Sequence, residues 1–219
     1  MVGLLWELFN IIKEILNRTL KFPEFLLALV GVRFRKRLLL RIVVLRDEHG
    51  TPLIGNEEVI PAFEETRRIF ARMADINVEP AEWRVVTAPV ASPHWALDVR
   101  CTDGAWRDDL GDAGAFFRSL MATTTAGTLI GYGAPITVFV VRSISTHNGC
   151  SLGVAADYVT VEAKTLKGTR RLLIHEVAHA CGLWHSGRSN NLMIAKGPGE
   201  ELTVWQAAVL RTSRHVTYF

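Results

Sequence analysis

The residues best equipped for chemistry stand together late in the chain, in His175-Glu176-Val177-Ala178-His179-Ala180-Cys181-Gly182-Leu183-Trp184-His185. His175 and His179 are one helical turn apart, so a helix through them places both imidazoles on one face. Such a pair can grip a single zinc ion at roughly 2.0–2.1 Å per nitrogen. Glu176 lies about 100° round the same helix, near enough to reach a metal-bound water without being a ligand. Gly182 can end the helix in a left-handed conformation that strains other residues, and the returning chain delivers His185 as a third ligand. Three protein ligands leave a fourth position for water, the arrangement of a catalytic zinc and not of a structural one. The sequence therefore implies one catalytic Zn2+ per chain. An ordinary amphipathic helix that merely carries histidines does not account for all five fixed positions.

The pattern H-E-x-x-H-x-x-G-x-x-H, followed by Asn191-Leu192-Met193, resembles the signature of the metzincin clan of zinc endopeptidases. Ser186 directly after the third histidine, and the distance from there to Met193, look most like the matrixin branch. The resemblance implies that Met193 forms the hydrophobic floor of a Met-turn beneath the histidines, which a plain core methionine would also satisfy. It brings no tyrosine role, because Ala195 stands where some branches carry Tyr. The activity implied is a zinc-dependent endopeptidase with Glu176 as general base and a peptide or protein as substrate. In this clan the substrate lies extended along an edge strand, and residues 150–161 match that edge best in order. No cysteine-bearing latency segment and no ligand cluster for further zinc or calcium accompanies the motif. Two rival readings stand beside the peptidase: an inactive zinc-containing interaction module at a membrane surface, and a zinc hydrolase acting on a non-peptide amide. Glu176 weighs against the first, since a structural site has no use for a base there.

The elements that must position these residues read as α+β. Residues 38–45 form a β-branched apolar run ending in a turn, and residues 57–74 carry a helical pattern with Ile60, Phe63, Ile69, Phe70 and Met73 as its buried positions. Asn77-Val78 and residues 83–87 together suggest a second strand. Residues 88–111, with two prolines, two glycines and scattered Asp, read as a long loop, and a short helix covers 113–121. Residues 136–141 form the most buried strand and 157–161 another. Thr169 is placed to cap the zinc-binding helix, and Thr203-Val204-Trp205-Gln206 has the form of a capping box that starts a last helix ending near Thr212. This order is similar to a metzincin-like catalytic domain over residues 37–219: a twisted mixed sheet, a zinc-binding helix, a Met-turn and a C-terminal helix.

With 219 residues, 49% of them apolar and 21% charged, the chain suits one globular core with a small appendage. A net charge of +3 leaves no electrostatic footprint for nucleic acid. The charge is uneven, however: Arg33, Arg35, Lys36, Arg37 and Arg41 supply +5 with no acid among them, so the rest sums to −2. Of three cysteines, Cys101 and Cys150 lie beside turn-like glycines and are the favoured pair, while Cys181 should point into the core. His49, His94, His147 and His215 show no ligand spacing.

Residues 1–36 form a separate N-terminal segment. Leu4, Leu5, Leu8, Ile11, Ile12, Ile15 and Leu16 make an apolar helical stripe, with Glu7, Asn10, Lys13, Glu14, Asn17 and Lys21 on the other side. A second apolar run at residues 25–30 leads into the basic block. Neither run reaches the roughly 20 apolar residues of a spanning helix, and the start lacks the features of a secretory signal, so localisation stays open. Two readings stand: a helical hairpin packed on the domain, and an interfacial anchor whose residues 1–41 meet an anionic membrane surface.

Overall fold

The computed structural model describes residues 2–121 and 132–218. Its frame is a twisted mixed sheet in the order β2-β1-β4-β7-β6, with β8 pairing β1 below the start of β4. Strands β1 (Lys36–Val44), β2 (Ile76–Thr87), β4 (Ile136–Val141) and β7 (Tyr158–Glu162) run parallel. The edge strand β6 (Gly149–Ser151) and the short β8 (Val216–Thr217) are antiparallel to their neighbours. A small parallel pair joins β3 (Asp98–Arg100) to β5 (Ser143–Ser145).

Parallel strands are covered on both faces, and the run Ile136-Thr137-Val138-Phe139-Val140-Val141 is buried throughout for that reason. Because successive side chains alternate, the sheet sorts them into two cores. Leu38, Leu40, Ile42, Val138 and Val140 pack beneath helices α3 (Asn56–Ala74), α8 (Arg171–Ala180) and α9 (Val204–Arg211). Val43, Leu45, Phe139 and Tyr158 face the opposite side, where Phe117 of α6 (Asp112–Leu120) stacks on Phe139 at 4.8 Å.

Several sequence expectations need correction. The second strand expected from Asn77-Val78 and residues 83–87 is β2, continuous between them, and its register against β1 shifts between Leu40 and Ile42. The stretch read as a long loop contains α4 (His94–Leu97), β3 and α5 (Asp103–Leu110), short elements without enough periodicity to announce themselves. In α3, Phe63, Ile69 and Phe70 are buried, but Ile60 is exposed and Met73 only half-buried. Cys101 and Cys150 do form a disulfide, with Cα atoms 5.6 Å apart, tying the end of β3 to the edge strand. Cys181 is a free thiol in the core.

The N-terminal segment folds as α1 (Val2–Leu20) and α2 (Phe22–Leu29), with Pro23 in the first turn of α2 where its missing N–H costs nothing. Lys21 between them donates to the carbonyls of Ser213 and Val216, each at 2.8 Å. No helix among the described residues is long and apolar enough to cross a membrane.

Candidate metal centre

Helix α8 follows α7 (Ala163–Gly168) and runs from Arg171 to Ala180. Thr169 does not cap it: the N-cap is Arg170 in a helical conformation, with no side-chain cap, and Thr169 instead closes α7. The C-terminal end is as expected. Gly182 has φ +89, its N–H donates to the His179 carbonyl at 2.8 Å, and the Leu183 N–H reaches back to Ala178 at 3.0 Å. This is a Schellman closure, and the left-handed glycine turns the chain so that His185 comes back toward the helix.

The three histidines converge. The Nε2 atoms of His175, His179 and His185 form a near-equilateral triangle with sides of 3.3, 3.2 and 3.2 Å. His175 Nδ1–H donates to the Leu192 carbonyl at 2.9 Å, and His179 Nδ1–H to the Leu183 carbonyl at 2.7 Å. Each of those bonds fixes the tautomer, leaving the lone pair on Nε2 and inside the triangle. Lone pairs held that close repel unless a cation lies among them. Two nitrogens bound at about 2.05 Å in a tetrahedral site stand about 3.3 Å apart, so the spacing fits zinc without rearrangement. Burial pushes the His175 imidazole down to about 4 and lowers that of His179, so both are neutral and able to ligate at neutral pH. His175 is buried, His179 half-buried and His185 exposed, which opens the site on one side.

Glu176 is buried between α8 and the edge strand. Burial raises its carboxyl to about 8, opposed by the charge of Arg171. Met193 is fully buried in the larger core cluster with Val177 and Leu192. Its turn is held by a web of hydrogen bonds. Ser186 N–H donates to the Met193 carbonyl at 2.8 Å, and Met193 N–H to Asn191 Oδ1 at 2.9 Å. Asn191 Nδ2 then donates to Gln206 Oε1 at 2.7 Å, and Gln206 completes the predicted capping box with Thr203. Arg171 donates to the carbonyls of Gly199 at 2.8 Å and Ile194 at 2.6 Å, and also to that of Leu192.

Arg171, Asn191 and Gln206 thus support the site, and Gly149 of β6 lies against the Glu176 side chain, though none stands out in the sequence as a member of it. Only the Thr203/Gln206 box carried a local signal. At the sheet edge beside α8 the strand is β6 alone and not the whole of residues 150–161, because Tyr158–Glu162 is paired on both sides, by β4 and β6; β2 forms the other edge. His215 is buried, donating from Nδ1 to the Ala134 carbonyl at 2.7 Å, while His49, His94 and His147 are exposed.

No protein-family model matches the chain, and no curated protein matches it. Among solved structures it is similar to metalloproteinase-II from Bacteroides fragilis. The match has a TM-score of 0.48 and 10% identity over 78% of this chain. The chain matches 50% of that protein's length.

Proposed function

We propose that the chain is a zinc-dependent endopeptidase of the metzincin type, nearest the matrixin branch by its Ser186 and Met193. The observation that carries this reading is the triangle of Nε2 lone pairs at 3.2–3.3 Å, with a buried carboxylate next to it in the chain and an edge strand alongside. His175, His179 and His185 would hold the ion, and Met193 would form the floor under them. Zinc bound there would supply a water of lowered pKa and would polarise a carbonyl. Glu176, whose raised carboxyl the charge of a bound cation would bring back to its ionised form, would take a proton from the attacking water and pass it to the leaving nitrogen. The Nδ1–H bonds to Leu192 and Leu183 keep the imidazoles oriented throughout. An extended peptide would add alongside β6, on the edge that no strand among the described residues covers.

The test compares wild type with Glu176→Ala on a mixed peptide library, with products read by mass spectrometry. The wild type should cleave in a chelator-sensitive manner, and the variant should keep its zinc yet lose roughly 10²–10⁴ in turnover. A folded, zinc-loaded wild type that cleaves nothing would favour the inactive interaction module.

A further inference from the structure

Helix α1 is packed with its faces reversed. Asn10 is 0% and Glu14 2% exposed, whereas Ile12 is 53%, Ile15 59% and Leu20 80% exposed. The buried polar side makes hydrogen bonds to the domain. Asn10 donates to the Ala155 carbonyl at 2.9 Å, and Arg18 to those of Cys181 at 2.8 Å and Val209 at 3.2 Å. Glu14 accepts from the Arg214 N–H at 3.0 Å. The side that a helix on a water-soluble surface would bury is left outside.

This apolar face continues through α2 and the chain beyond it, where Leu26, Val30 and Phe34 are exposed. Between residues 4 and 34 no exposed residue carries a charge. The hydroxyl of Thr19, the exposed hydrophilic group there, is already donated to the Ile15 carbonyl at 2.9 Å. At the rim, Phe25 meets the exposed Trp205 edge-on at 4.8 Å, and Arg35 is exposed where the face ends. A continuous apolar surface of this extent marks an interaction site.

We propose that this face lies on a lipid bilayer, with α1 and α2 in the interfacial plane and the catalytic domain held above it. Protein interfaces carry about one hydrogen bond per 100–200 Å² to set register, and the exposed side chains of this face carry no hydrogen-bonding group beyond the already donated Thr19 hydroxyl. A bilayer requires none; it requires an apolar face in the acyl boundary and amphipathic groups at the rim, the places of Trp205 and Arg35. The polar contacts of α1 hold the helix flat against the domain.

Charge contributes less than the sequence suggests. Residues 1–41 hold eight cations against three acids, but most of the basic block is engaged within the protein. Lys36 is buried against Glu24 at 2.5 Å, and Arg37 faces Glu79 at 3.7 Å. Arg33 donates to the Met73 carbonyl and Arg41 to that of Leu120, each at 3.2 Å. Apolar burial therefore drives the binding, and anionic lipid adds only a small increment.

The test is flotation of the full-length chain with phosphatidylcholine vesicles and with vesicles containing phosphatidylglycerol, at low and high salt. The companion is a quadruple variant, Leu5→Gln, Leu8→Gln, Ile12→Gln and Ile15→Gln, at exposed positions that the core does not use. Wild type should float with both vesicle types and tolerate salt, while the variant binds at least about tenfold more weakly with an unchanged melting curve. Wild type that stays in solution with both vesicle types overturns the proposal. If light scattering then finds a dimer that the variant dissolves, the occupant is a second copy. Binding confined to the anionic vesicles and abolished by salt overturns it as well.

Discussion

Glu176 lies directly against Gly149 of the edge strand: a Cβ built on Gly149 would meet its Oε1 at 2.4 Å and its Cδ at 2.6 Å. The glycine is needed there for space. It lets the carboxylate lie between α8 and the strand along which substrate would add. Gly149→Ala should push the carboxylate aside while leaving all three histidines untouched. The expected result is a fall in kcat of about 10²-fold with KM and zinc content close to wild type. Steady-state kinetics with elemental analysis checks this, and unchanged kcat would show that the carboxylate's position is not set by the strand.

The turn carrying Met193 is fastened to α9 by the paired amides of Asn191 and Gln206, which exchange hydrogen bonds at 2.7 and 3.1 Å. Asn191 is buried, so Asn191→Ala removes the acceptor of the Met193 N–H and of the Gln206 Nε2–H. Its cost should be about 1–3 kcal/mol. Denaturant titrations of Asn191→Ala, Gln206→Ala and the double variant should give a coupling energy above about 0.5 kcal/mol. Additive effects would mean that the two amides act independently.

Arg214 is fully buried, paired with Asp157, and its Nη2 donates to the Val154 carbonyl at 3.1 Å. Replacing it by Met would leave the Asp157 carboxylate buried without its main partner. Arg214→Met should destabilise by about 3–5 kcal/mol, while Arg214→Met with Asp157→Leu should recover much of that loss. Chemical denaturation of both variants tests the pair.

Glu7 contributes a pH dependence of the opposite sign to most acids. Burial, then the charge of Asp109 and a hydrogen bond with it, push the Glu7 carboxyl up to about 9; Arg118 opposes them. The native state therefore holds a proton that the unfolded chain releases from about 4.5 upward. Native protein binds more protons across that window, so this group's contribution to stability falls as pH rises from about 4.5 toward 9. Glu7→Gln, which cannot ionise, should match wild type near pH 5 and exceed it near pH 8 by about 1 kcal/mol or more. Equal stabilities at both pH values would place Glu7 in its charged form.

How far the sequence reaches depends on the range of the interaction. The histidine spacing, the left-handed Gly182, the Thr203/Gln206 box and the buried run of β4 are legible because each depends on neighbours within a few positions. Arg171, Gly149 and Asn191 were not, because their partners are brought to them by the fold. The apolar stripe of α1 was legible as a stripe, but which side it presents was not. That depends on Asn10, Glu14 and Arg18 finding Ala155, Arg214 and Cys181, far along the chain. The loop expected at residues 88–111 failed for a related reason: α4, β3 and α5 are too short for periodicity to appear and are held by Phe116, the disulfide and β5.

The most direct measurement of the central claim is the zinc content of the purified chain and of His175→Ala, His179→Ala, His185→Ala and Glu176→Ala. The three Nε2 lone pairs predict about one zinc per chain in the wild type. They also predict a sharp loss in each histidine variant and full retention in Glu176→Ala. Zinc content unchanged in all three histidine variants would contradict the assignment of the site.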